Sequence, residues 1–162
     1  MKKTVAITGG TSFLGREIVK VLKDDFNLRV LSRKKDSVCG LETVYGDLND
    51  DAVLKRFLKD SDILVHVLSL SDPFDKNIDS INISLSKRLV YISSDLNVRK
   101  VIYISSENVT YDLKDKYTIS KQEAEKIISH FKNFLILRPS PIFGKGDKRH
   151  IMLYAQLINK FF

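Results

Sequence analysis

The sequence predicts an α/β fold, a doubly wound parallel sheet with strand order 3-2-1-4-5-6. Three features predict it: short apolar runs rich in β-branched residues, stripes of helical period between them, and a glycine-rich turn directly after the first run. With 162 residues and 43% hydrophobic side chains, the chain is expected to form one domain, 1–162, with a sizeable core.

The first run, Thr4 to Thr8, passes through Gly9-Gly10 into a periodic stretch carrying Phe13, Leu14, Ile18, Val21 and Leu22, which reads as strand, tight turn, helix. Leu28 to Leu31 is the second strand and Thr43 to Tyr45 a short third. The interval between them is too short for a long crossover helix. Val53, Leu54, Phe57 and Leu58 mark the next helix face, and Asp62 to Leu68 is apolar enough for a strand covered on both sides. Ile78, Ile81, Leu85, Leu89, Ile92 and Leu96 predict one longer helix. Val101 to Ile104 is the fifth strand, and Ala124, Ile127, Ile128 and Phe131 share a helix face. Phe134 to Leu137 is the sixth strand, stopped at Arg138-Pro139 because proline cannot continue a ladder. A final amphipathic segment runs from Ile151 to the end.

The net charge of +7 raises the question of nucleic acid, since Lys and Arg supply non-specific phosphate affinity. The basic groups Arg33-Lys34-Lys35 and Lys145 to Arg149 lack interleaved aromatics, and the other charges are scattered as on solvated helix faces, which argues against that partner. No apolar run approaches a membrane span, and the N-terminus turns glycine-rich before a signal-type stretch, so a cytoplasmic protein without membrane attachment is expected. The single cysteine, Cys39, reads as a loop spectator. His66, His130 and His150 share no metal-ligand spacing, and His66 reads as a satisfied core residue.

Thr8-Gly9-Gly10-Thr11-Ser12-Phe13-Leu14-Gly15, set between strand and helix, is an arrangement that binds a pyrophosphate. Glycines let the backbone approach, and the helix N-terminus offers free N–H groups and partial positive charge. Gly9, Thr11, Ser12, Phe13 and Leu14 are the candidate contacts, while Gly15 serves packing of helix on strand. The second strand closes on Leu31-Ser32-Arg33-Lys34, with no acid to accept from a ribose 2′-OH and an arginine able to pair with a 2′-phosphate. NADP is therefore the expected cofactor, through Ser32 and Arg33, with NAD as the alternative. Asp47, after the third strand, stands where it could cap the following helix. In Tyr117-Thr118-Ile119-Ser120-Lys121 the phenol and ammonium share a helix face, an arrangement that would lower the tyrosine pKa from about 10 toward working pH.

Taken together these motifs resemble the extended short-chain dehydrogenase/reductase family, of NAD-dependent epimerase/dehydratase-like type, including its atypical branches. Gly9 and Gly15 match its TGxxGxxG loop, with Ser12 in place of the middle glycine. Gly46-Asp47-Leu48 matches its GD[LV] adenine segment, Tyr117 and Lys121 its YxxxK, and Leu137-Arg138-Pro139-Ser140-Pro141-Ile142-Phe143-Gly144 its LRPxxxxG run. The resemblance implies an NAD(P)-binding Rossmann fold with Asp47, Leu48 and Pro139 among the cofactor contacts. It also implies Tyr117 as general acid/base, Lys121 as its partner and ribose ligand, and a serine after the fifth strand that polarises the substrate oxygen. Ser106 fits that serine best by position, Ser105 is the other candidate, and counting back four residues from Tyr111, as many members would have it, lands on Glu107. The activity implied is that of an oxidoreductase, epimerase or dehydratase acting on a small-molecule secondary alcohol or ketone, a nucleotide sugar first. The alternatives are a non-catalytic NADP-binding sensor and an RNA-binding atypical relative. Family members pair as homodimers through the helix after strand four and the YxxxK helix, where Ile83 and Val90 supply a second face. They also continue into a substrate domain, which this chain is expected to lack or to carry only in truncated form.

Overall fold

The computed structural model describes residues 2–33, 40–72, 74–112, 115–145 and 158. Lys34, Lys35, Cys39, the basic run from 146 to 149, His150 and the segment expected from Ile151, apart from Ile158, lie outside the described residues.

The elements are β1 (Thr4–Thr8), α1 (Phe13–Leu22), β2 (Asn27–Ser32), β3 (Glu42–Tyr45), α2 (Asp51–Leu58), β4 (Ile63–His66), a π-helical turn (Ser80–Ser84) running into α3 (Leu85–Asp95), β5 (Lys100–Ile104), a 3-10 turn (Glu107–Thr110), α4 (Lys116–Ser129) and β6 (Phe134–Leu137). All five strand pairings are parallel and the order is β3-β2-β1-β4-β5-β6, as predicted. β1 shows why the sheet is two-sided. Val5 and Ile7 point to the layer holding α1, and Ala6 points to the layer holding α2, α3 and α4.

Several boundaries differ from the sequence reading, each for a local reason. β4 stops at His66 because the Thr8 hydroxyl takes the N–H groups of Val67 and Leu68, at 3.1 and 3.2 Å, and draws them out of the ladder. Asp62 precedes the strand and accepts from the Thr4 N–H at 2.9 Å. The helix expected as one piece from Ile78 begins with the wide turn at Ser80–Ser84, which shifts the phase of the stripe. Val21 is 74% exposed, and Val19 completes the apolar face of α1 in its place. Contact of Gly15 with the preceding turn sets that rotation. β6 has its fifth-strand neighbour on one side and leaves Phe134, Leu135 and Leu137 exposed. No helix among the described residues is long and apolar enough to cross a membrane.

Candidate active site

At the carboxyl end of β1, Gly9 adopts φ +70°, and a Cβ there would lie 2.8 Å from the Leu68 nitrogen. At Gly15 a Cβ would lie 2.0 Å from the Gly9 carbonyl oxygen, so the first turn of α1 rests directly on the glycine turn. Thr11 accepts from Arg16 through its carbonyl at 3.2 Å. Ser12 is the N-cap, its Oγ accepting from Gly15 N at 3.1 Å, which leaves the hydroxyl proton free to donate outward. Among the described residues, the Phe13 and Leu14 N–H groups meet no acceptor. Two open amides at the positive end of a helix, behind a turn with no side chains in the way, fit the pyrophosphate of a dinucleotide.

β2 and β3 end on the same side. Ser32 is buried as the last residue of β2, and Arg33 emerges beyond it to line, with Asp47, Leu48, Leu68 and Leu70, a cleft of about 720 Å³. Asp47 is not the helix cap. Its Oδ1 accepts from Asn49 N at 2.9 Å to shape the loop, while Asp50 caps α2 by accepting from Ala52 N at 2.8 Å. Arg88 of α3 fixes this loop by donating to the Leu48 carbonyl at 2.8 Å and pairing with Asp51 at 2.7 Å.

The third group of residues gathers past the ends of β4 and β5. Asp115 caps α4 by accepting from Thr118 N at 2.7 Å, which places Tyr117 in the first turn. The hydroxyls of Ser106 and Ser69 lie toward the Tyr117 phenol, near enough to oppose the rise of its pKa. Ser106 also caps the 3-10 turn, Oγ accepting from Asn108 N at 3.3 Å. Ser105 is buried and directed at Glu125, without a close bond of its own. Of the two serines it is thus Ser106 that stands at Tyr117. Glu107 holds the Ser140 hydroxyl at 2.5 Å, and its N–H donates to the Pro139 carbonyl at 3.1 Å, tying the run after β6 to this turn.

The expected lowering of the Tyr117 pKa is not what the structure gives. Burial raises it above the ordinary tyrosine value and Asp115 adds to the rise, against the opposing influence of the Ser106 and Ser69 hydroxyls. Lys121 does not reverse this. Its side chain is 2% exposed, Nζ donates to the Ile104 carbonyl at 2.7 Å, and it lies 4.6 Å from the Tyr103 ring centre but 6.0 Å from that of Tyr117. Burial, opposed by the charge of Glu125, also lowers the lysine pKa to about 7. A cation only half charged at neutral pH and aimed elsewhere cannot draw the proton off the phenol.

Sequence reasoning missed the polar framework beneath this cluster. Asn82, in the π-helical turn, binds both polar backbone groups of Leu70 at 2.9 Å, accepts from Ser69 Oγ at 3.2 Å and donates to Ser120 Oγ at 2.9 Å. It thereby fixes Ser69 against α4. Below it, His66 is fully buried, with Nδ1 2.7 Å from Thr8 Oγ1 and Nε2 3.0 Å from Ser86 Oγ. No periodicity marks an asparagine for such a role, because it depends on where a helix widens. Among the described residues, no three His, Cys, Asp or Glu side chains converge as a metal site would require.

The pyrophosphate turn, the Arg33–Asp47 cleft and the Ser106–Tyr117–Lys121 group all sit at the carboxyl ends of the strands, where such sheets bind ligands. Residues 5–161 match the family model described as NAD dependent epimerase/dehydratase family. The chain is 27% identical to a UDP-glucose 4-epimerase of Vibrio cholerae, over 99% of its own length and 58% of that protein's, and 30% identical to a ceramide reductase of Caulobacter vibrioides, over 93% and 50%. It thus spans little more than half the length of these curated relatives. Among solved structures, the Bordetella bronchiseptica enzyme WbmH in complex with NAD+ superposes with a TM-score of 0.84 at 19% identity, covering 99% of this chain and 64% of that one, a likeness of fold. With residues 5–161 matching that family model, the chain belongs to the NAD-dependent epimerase/dehydratase family of enzymes.

Proposed function

We propose that the protein binds a nicotinamide dinucleotide, NADP(H) in preference to NAD(H), and acts with it as an oxidoreductase, epimerase or dehydratase on a secondary alcohol or ketone, a nucleotide sugar being the first candidate. One observation carries this reading: Tyr117, with the Ser106 and Ser69 hydroxyls turned toward its phenol, stands at the same sheet edge as the open Phe13 and Leu14 amides. The nicotinamide, when bound, supplies or takes up a hydride. The protein's part is the proton. A substrate oxygen beside Ser106 Oγ and the Tyr117 phenol would accept a hydrogen bond from the serine and exchange a proton with the tyrosine. Because burial keeps that phenol protonated at neutral pH, Tyr117 begins as the donor, which suits a ketone substrate. Lys121 would serve a ribose hydroxyl by giving up its bond to Ile104.

Support for NADP(H) comes from Arg33 at the end of β2, in a cleft wall whose second-strand end carries no acid. Relatives named with NAD or with a UDP-sugar make the same cofactor class and substrate class reasonable starting probes. Fluorescence titration should show tighter binding of NADPH than NADH, and Arg33→Ala should remove most of the difference; equal affinities in the intact protein would overturn the preference. A non-catalytic dinucleotide sensor is the second reading, favoured by Lys121 being tied to a backbone carbonyl. For assembly we propose a homodimer through α3 and α4, supported by half-buried Ile83 and Val90 and by Tyr91, which is exposed. A monomer in sedimentation at high concentration would argue against it.

A further inference from the structure

We infer that Glu125, gripped by Arg138, is a positioning residue for Lys121: an anchored carboxylate one turn along α4 whose charge favours the ammonium when it exchanges Ile104 for a cofactor hydroxyl. This rests on the reading of Lys121 as a cofactor-site lysine.

The geometry is specific. Lys121 and Glu125 are four residues apart on α4, both buried, so they share one inward face. Arg138, just past β6, donates Nε to Glu125 Oε1 at 2.9 Å and Nη2 to Oε2 at 2.7 Å, a two-pronged grip that fixes the carboxylate plane. Burial favours the neutral acid. Hydrogen bonds from Arg138, the nearby Ser105 hydroxyl, and the charges of Arg138 and Lys121 nevertheless hold Glu125 below the usual carboxylate range. The titratable groups facing Lys121 are His66 from β4, Tyr103 from β5, and Tyr117 and Glu125 from α4, with Arg138 behind Glu125. The histidine is neutral and burial keeps both phenols protonated at pH 7. Glu125 is therefore the one anion in that set, and its charge alone offsets the burial that strips the lysine of its proton. A role confined to joining β6 to α4 would need the ion pair and not its place beside Lys121.

The test reads Lys121 directly in the full chain without cofactor. Protein labelled with 13C at the lysine side chains is titrated by NMR, and the Lys121 signal is identified by its loss in Lys121→Met. The intact protein should show a midpoint near pH 7. Glu125→Gln should lower that midpoint by about one unit or more, Glu125→Asp should restore most of it, and NADPH affinity at pH 7 should fall about tenfold in the glutamine variant and recover on acidification. The double variant Glu125→Gln/Arg138→Gln, which leaves no unpaired guanidinium, should lower the midpoint in the same direction and guards against a single variant that misfolds. An unchanged midpoint in a folded glutamine variant would overturn the inference whatever the cofactor does. A lowered midpoint in a protein that binds neither NADPH nor NADH would uphold the Glu125–Lys121 coupling and put the failure on the proposed function.

Discussion

Acidification from pH 7 to 5 should remove about 2 kcal/mol of stability through His66 alone. Burial, reinforced by the positive charge of Lys121, lowers the pKa of this imidazole from 6.5 to about 3. Above pH 6.5 the ring is neutral whether the chain is folded or not, and its contribution is fully present. Between pH 6.5 and about 3 only the unfolded chain takes up the proton, so stability is lost as the pH falls through that window. Each unit is worth about 1.4 kcal/mol, so the 1.5 units down to pH 5 give about 2 kcal/mol and the whole window roughly 5 kcal/mol. Urea unfolding followed by circular dichroism at pH 7 and pH 5 measures this, compared with His66→Gln, which keeps a donor and an acceptor but cannot titrate. Carboxylate effects are common to both proteins and cancel. The intact protein should lose about 2 kcal/mol more than the variant between the two pH values, and equal losses would refute the assignment of a neutral, buried His66.

Gly15→Ala puts a methyl 2.0 Å from the Gly9 oxygen, so its urea midpoint should drop by about 2 kcal/mol or more and NADPH binding should weaken with it; an unchanged midpoint would mean that α1 slides freely. Tyr117→Phe should leave NADPH affinity intact while any proton-coupled turnover falls about two to four orders of magnitude, and retained turnover would remove Tyr117 from the chemistry. Lys121, with its pKa near 7 folded against 10.5 as a free side chain, contributes stability that grows as pH rises from 7 to 10.5; Lys121→Met should flatten that rise in urea titrations, and an identical slope in both proteins would show the lysine to be solvated.

The sheet was legible because its signal is repetitive: six apolar runs and the helices between them each repeat a period, and parallel order follows from alternation. What escaped depends on single contacts across the chain. Thr8 ends β4 from 59 and 60 residues away, and no property of Val67 or Leu68 announces it. That Asp50 and not Asp47 caps α2 turns on one hydrogen bond, and the choice between Ser105 and Ser106 on which hydroxyl lies toward Tyr117. The tyrosine–lysine spacing correctly placed both residues on one inward face of α4. It could not say that burial would act on both of them more strongly than they act on each other.

The buried chain from Thr8 to Asn82 admits only one arrangement of hydrogens. Thr8 Oγ1 already accepts from two backbone amides, so its proton goes to His66 Nδ1. Ser86 donates to the Asn82 carbonyl at 2.7 Å, so its oxygen accepts from His66 Nε2–H. Every hydroxyl points the same way, and reversing any one of them would strand an amide or a carbonyl in a dry interior. The chain is therefore a strut and carries no proton current, and the His66 ring proton should exchange with solvent only when the sheet itself opens.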